Sequence, residues 1–217
     1  MSPLRILARS HDANLRIIAI TDHNASANTR VAIRLAERPG VVVIPGMEVT
    51  SREEAHGLAY FHELEALTDF QHLIDQHLPH APNLPEVFGH QLVYDEHDEI
   101  VDVDDQLRQV GVSLGIDELA AEVKSRGGVF VPAHVFRNKF SLMSQLGFID
   151  PEEKFDAVEI AFPMWRRENY KIGMRVSGFP VMTGSDSHFL ENVGRAFMEL
   201  PAAAKGLDDV MRLVKEL

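Results

Sequence analysis

Apolar runs closed by imidazole or carboxylate residues recur along this chain. LRIIAITDHN (15–24) is an Ile-rich run that ends in Asp22 and His23, and FPVMTGSDSH (179–188) ends in Asp186 and His188. Short runs rich in Ile and Val, bounded by polar residues, predict buried strands. Each therefore places polar side chains at the carboxyl end of a strand. VVVIPGMEV (41–49) predicts another strand, with Pro45–Gly46 as a bend before Glu48. HGLAYF (56–61) predicts one that begins with His56, VFVPAH (129–134) one that ends in His134, and FDAVEIAF (155–162) one that ends near Glu159. GRAFMEL (194–200) predicts a last strand.

Helical patterns alternate with these runs. Residues 2–13 predict a helix capped by Ser2 with Pro3 at its first position. A second is predicted over 25–37, broken by Pro39 and Gly40. Leu64, Leu67, Phe70, Leu73, Ile74 and Leu78 recur at spacings of three and four, which predicts a helix over 63–78. Further helices are predicted over 116–126, 165–176 and 206–217. Strand and helix in alternation predict an α/β domain with a parallel sheet, open or closed into a barrel. The stretch from Pro79 to about Gly115 breaks the alternation with three prolines and the acidic segment DEHDEIVDVDD (95–105). It reads as an insertion or lid, at about 79–115, within a single domain of residues 1–217.

Composition narrows the chemistry. Cysteine is absent, which excludes disulfides, thiolate metal sites and cysteine nucleophiles. No apolar run approaches the ~20 residues that cross a bilayer, and the start lacks the apolar core of a secretory signal. The expectation is a cytoplasmic enzyme that does not engage a membrane. With 21 basic against 33 acidic residues the net charge is −12. Such a surface repels a phosphate backbone at long range. The partner expected is a small phosphorylated substrate or nucleotide, with no bulk duplex nucleic acid. The sequence says nothing of oligomeric state.

The polar residues at strand ends form one set: Asp22, His23, Glu48, His56, His134, Asp186 and His188. Without sulfur, imidazoles and carboxylates suit Zn²⁺, Mn²⁺ or Fe²⁺. Loops that follow successive parallel strands converge on one rim, so these side chains can meet despite their separation in sequence. A carboxylate such as Glu48 can bridge two metals at ~3.5–4 Å, as two-metal hydrolytic sites require. Plainer readings stand beside these. His56 is equally suited to a structural role, and Asp22 to a ligand or a loop cap. His62, His72, His77, His80, His90 and His97 read as solvated, a second metal site among His72, His77 and His80 being the alternative. The acidic run reads as a solvated face, the alternative of a Ca²⁺ site being disfavoured because no glycine stands where an EF-hand loop needs one. Trp165 with Arg166 and Arg167 either packs against the sheet or stacks on a base and holds a phosphate.

The motifs IIAITDHN, IPGMEV, AHGLAYF, PAH and TGSDSH, in this order over nearly the whole chain, resemble the PHP (polymerase and histidinol phosphatase) family; ITDHN and GSDSH are the most specific. The resemblance implies a distorted seven-stranded β/α (TIM-like) barrel that hydrolyses phosphate esters with two or three divalent metals. It implies metal ligation by His23, Glu48, His56, His134, Asp186 and His188. Asp22 is implied as a residue beside His23, structural rather than ligating, and Arg137 as a contact for substrate phosphate. The family's opening strand, with its His-x-His, has no counterpart here. The implied barrel therefore lacks its first strand, and fewer metals are expected. The alternative is a truncated or degenerate domain that binds metal or a partner with little catalysis. An amidohydrolase is a further rival, but none of the predicted strand ends offers the bridging lysine it would need.

Overall fold

The computed structural model describes residues 1–36 and 40–216. The chain opens with α1 (Pro3–Asp12), β1 (Ile17–Ile20), α2 (Ala27–Ala36) and β2 (Val42–Thr50). Pro3 starts α1 as expected, but Ser2 gives it no side-chain cap, and its hydroxyl is buried without a partner. Pro39 and the break assigned to it lie outside the described residues. β2 runs straight through Pro45–Gly46 instead of bending there. Gly46 makes this possible. A Cβ at that position would stand 3.0 Å from Thr21 Cγ2 and 3.3 Å from Tyr60 Cδ1, so the bare backbone lets neighbours close in.

β1 pairs parallel to β2, with Ile17 opposite Val42 and Ile20 opposite Pro45. The next strand, β3 (His56–Tyr60), runs antiparallel to β2, which corrects the expectation of a parallel sheet. The reason is the length of the link. Residues 51–55 are too few for a parallel crossover, which takes a dozen or more, but suffice for a reversal. Reversal has a useful result: Thr50 pairs with His56, so the first residue of β3 lies at the same end of the sheet as the end of β2.

α3 (Leu64–His77) buries Leu67, Phe70 and Ile74 in the main core beside Met47, Val49 and Phe130. Full burial of such side chains stabilises by about 1.5–3 kcal/mol each. The insertion is ordered: α4 (Pro85–Phe88) precedes a hairpin of β4 (Leu92–Tyr94) and β5 (Ile100–Val103). Two asparagines fasten it to the domain. Asn28 donates to Leu92 O and accepts from Tyr94 N–H, and the fully buried Asn24 donates to Arg108 O and Val110 O.

α5 (Ile116–Ser125) leads into β6 (Val129–Pro132), which pairs antiparallel to β3. After the short α6 (Leu142–Gln145) comes β7 (Val158–Glu159). Asp156 N–H to Phe130 O and Val135 N–H to Glu159 O tie β7 to β6. The helix expected over 165–176 is α7 (Phe162–Arg167) alone; Asn169 follows it at φ +53°, the left-handed conformation that ends helices. Residues 175–176 then form β8 (Arg175–Val176), which turns through Gly178 at φ +84° into β9 (Phe179–Met182). β9 is parallel to β7, and α8 (Leu207–Glu216) closes the described chain.

The strands thus follow one another as β1, β2, β3, β6, β7 and β9 in an open arc, with β8 outside β9. Among the described residues the arc does not close into a barrel. GRAFMEL, expected as a strand, pairs with none among them. It runs along the space between β1 and β9, where no partner strand stands. That space is a cavity of about 1030 Å³, with Ile17, Ala19, Ile44, Leu58, Met182 and Leu207 on its walls. No described helix is long and apolar enough to cross a membrane.

Candidate metal centre

Glu48 lies buried near the end of β2, and three imidazoles surround its carboxylate. His56 Nδ1 is 2.9 Å from Oε1, His134 Nε2 is 3.5 Å from Oε1, and His23 Nε2 is 3.7 Å from Oε2. The backbone brings them there. His23 forms a single parallel bridge with Glu48 just past the β1–β2 ladder, and Asn24 N–H donates to Glu48 O at 2.8 Å. The antiparallel return sets His56 two positions from Glu48's register, and His134 follows β6 in a left-handed turn at φ +33°.

The ring planes fit a shared site. His23 and His56 centroids are 5.0 Å apart, His56 and His134 5.2 Å, and His188 stacks near-parallel to His23 at 6.3 Å. Asp186 joins this rim, with Oδ1 3.3 Å from His188 Nε2 and Oδ2 receiving Arg137 Nη1 at 3.1 Å. All six expected ligands and Arg137 therefore converge on one mouth. Asp22 is set apart: its carboxylate accepts from Asn28 Nδ2 at 3.3 Å, on the insertion side. The solvated histidines His72, His77 and His80 form no donor cluster among the described residues, where His23, Glu48 and His56 are the group with metal-ligand spacing. Trp165 stacks on Tyr170 and packs against the core, the plainer of its two readings.

Electrostatics follow from this crowding. Burial alone would raise the Glu48 carboxyl, but contact with His134 and His56, and the nearness of His23, hold it well below the ordinary carboxylate range. Burial pushes His23 down, against the pull of Glu48. Asp186 raises His188 and is itself lowered by it. Burial pushes Asp22 up, opposed by Asn28. The buried imidazoles are short of partners: His23 Nδ1, His56 Nδ1 and both ring nitrogens of His134 make no hydrogen bond. A buried polar atom left unpaired costs about 1–3 kcal/mol. Imidazole nitrogens gathered round a carboxylate, those of His56 and His134 without hydrogen-bond partners, are what a divalent cation takes, so the residues present fit one.

Three contributors lie outside the predicted set. Phe140, at φ +56°, stacks on His56 with centroids 5.0 Å apart, and its carbonyl accepts His56 N–H. Arg195 donates to Ser185 O and Asp186 O, holding the turn in which Asp186 sits at φ +43°. Glu159, buried at the end of β7, accepts His134 N–H at 3.1 Å. Its place at a strand end was the one signal in the sequence; the other two lie in loops that carry none.

Residues 173–217, which include Asp186 and His188, match the family model described as PHP-associated. The PHP resemblance is borne out. Solved structures share the fold of this chain. The lesion-specific endonuclease Q of Pyrococcus furiosus is 15% identical with a TM-score of 0.63, over 100% of this chain and 52% of that one. Endonuclease Q in complex with a 27-mer duplex bearing an abasic lesion at the active site gives 15% and 0.65, with the same coverage. A protein from Bifidobacterium adolescentis described as a metal-dependent phosphoesterase gives 17% and 0.54, over 98% and 90%. The chain spans about half the length of the endonuclease Q structures it matches. No curated protein matches the sequence.

The duplex complex corrects one expectation. Net charge −12 does not exclude bulk duplex nucleic acid, because endonuclease Q, about half of whose chain shares this fold, is solved with a 27-mer duplex that carries an abasic lesion at its active site. Net charge sums the whole surface, whereas phosphate binding depends on the few groups at the mouth.

Proposed function

We propose that this chain is a metal-dependent phosphoesterase of PHP type. The observation that carries the reading is the Glu48 carboxylate ringed by His23, His56 and His134, with the nitrogens that His56 and His134 turn towards it left without hydrogen-bond partners. Glu48, His23, His56 and His134 would hold the cation, with Asp186 and His188 as further ligands on the same rim. Divalent cations in such a site neutralise phosphoryl charge and acidify water. The chain's own residues do the rest. Arg137, half-exposed beside Asp186, presents a second guanidinium edge to an incoming phosphate. Asp22 serves the site by fixing Asn28 and the insertion behind His23. The substrate is a phosphate ester: a phosphorylated metabolite, a nucleotide, or a phosphodiester of nucleic acid, duplex included, as endonuclease Q binds.

The finer reading of the fold is a seven-stranded PHP barrel whose first position is vacant in this chain. Ile17 and Ala19 of β1 are half-buried and line the cavity where a further strand would pair, which supports it. The same open side supports a second reading, a domain that binds one cation and turns over little, since three donors alone meet metal-ligand spacing among the described residues. The single domain with its insertion at about 79–115 belongs to either.

Metal content after loading with Mn²⁺ or Zn²⁺, measured together with hydrolysis of p-nitrophenyl phosphate and bis(p-nitrophenyl) phosphate, tests the proposal. Bound metal with turnover that Glu48→Ala abolishes supports the enzyme. Bound metal without turnover selects the second reading, and no bound metal sinks both.

A further inference from the structure

His134 is the most buried of the clustered imidazoles, at 1% exposure, and neither of its ring nitrogens makes a hydrogen bond. Metal-binding histidines are ordinarily oriented by a hydrogen bond from the second ring nitrogen to a carboxylate, carbonyl or water. Nothing of that kind holds this ring, so its direction must be set from the backbone. The backbone there is itself in an uncommon state, φ +33° in a residue with a Cβ, which costs energy unless neighbours fix it.

The neighbour that fixes it is Glu159. Its Oε2 accepts His134 N–H at 3.1 Å, and its main-chain oxygen accepts Val135 N–H at 2.9 Å, so two successive amides of the turn are tied to one residue. The same side chain reaches the opposite loop. Its Oε1 stands 2.8 Å from where a Cβ on Gly184 would lie, and Gly184 opens the turn that carries Asp186 and His188. Around it, Ile160 N–H donates to Met182 O and Thr183 Oγ donates to Ile160 O, closing β7 onto β9. A buried carboxylate is expensive to keep without a full set of partners, and Glu159 is 6% exposed.

We propose that Glu159 is the positioning residue of the metal centre. It clasps the His134 turn from one side and seats the Gly184–His188 turn on the other, so that His134 faces Glu48. Gly184 is its counterpart: a Cβ there would stand 2.8 Å from Oε1 and oblige the carboxylate to shift, which is expected to loosen its hold on the His134 amide. This inference rests on the metal-site reading above.

The test compares Glu159→Leu, Glu159→Gln and Gly184→Ala with the parent protein, first without metal and then titrated with Mn²⁺ by calorimetry. Glutamine keeps an acceptor for the His134 amide; leucine keeps much of the bulk and removes the acceptor. Outer-shell losses at metal sites typically run to roughly 10–100-fold in affinity. Glu159→Leu and Gly184→Ala are expected to weaken Mn²⁺ binding by about that factor, and Glu159→Gln by much less. In the metal-free proteins, amide exchange at His134 should quicken in Glu159→Leu and Gly184→Ala alone. Parent-like affinity and exchange in a folded Glu159→Leu overturns the proposal, as does an equal loss in Glu159→Gln. If Glu159→Leu does not fold, Gly184→Ala decides by the same two readings. If the parent binds no Mn²⁺ while the exchange differences hold, the metal reading fails and the clasp stands.

Discussion

Asp186 is shared between two nitrogen donors: Arg137 Nη1 meets its Oδ2 at 3.1 Å while His188 Nε2 lies 3.3 Å from Oδ1. Arg137 therefore restrains Asp186, a proposed ligand, from outside and still offers donors to solvent. Arg137→Ala is expected to lower kcat/KM for a phosphate ester by about 10- to 100-fold, the loss of one or two charged hydrogen bonds at about 1.5–3 kcal/mol. Metal content should stay unchanged. Lysine should rescue poorly, because its point charge cannot reproduce the planar fork. Initial rates and metal analysis on the same preparations check this; a metal content that falls with the rate would make Arg137 a keeper of Asp186 rather than a substrate contact.

Asn24 supplies a second prediction. It is fully buried at φ +49°, donates to two insertion carbonyls and accepts Thr50 N–H. Asn24→Ala strands these groups at about 1–3 kcal/mol each. Expected are a lower melting temperature and faster proteolytic cleavage within 79–115, with the cuts mapped by mass spectrometry. Asn24→Gly, which relieves the backbone but not the hydrogen bonds, should not restore the parent's resistance.

The third concerns pH. Burial, helped by Glu48, raises the Glu159 carboxyl from an ordinary 4.5 to about 7, against the pull of His134. The folded state then holds a proton that the unfolded chain releases, so between pH about 4.5 and 7 stability falls as pH rises. The shift corresponds to about 3 kcal/mol at most. Urea unfolding of the metal-free protein should show this decline, and Glu159→Gln should flatten it. Equal slopes for the two proteins would refute the assignment.

Much of the candidate site was legible because its residues punctuate apolar runs. His23 after β1, Glu48 in β2 and His134 after β6 are each found by asking where Ile and Val give way to imidazole or carboxylate. Strand direction was not legible, since alternation reads the same either way; only the short link 51–55 carries it. The hairpin of β4 and β5 was hidden by its charge. Tyr94, Ile100, Val101 and Val103 favour strands, but the acids between them read as a solvated loop. GRAFMEL has the composition of a strand and lacks only a neighbour to pair with, which no sequence window reports. Phe140 and Arg195 act through loop geometry, and Glu159 through a backbone amide, contacts that leave no periodic trace.

The reversal between β2 and β3 makes this centre sensitive to counting. Glu48 and His56 face one another only because the return that joins them has a fixed length, with Thr50 opposite His56. Adding or deleting one residue in 51–55 would slide β3 by one place and turn His56 to the other face of the sheet. Evolution can vary what this turn is made of far more freely than how long it is.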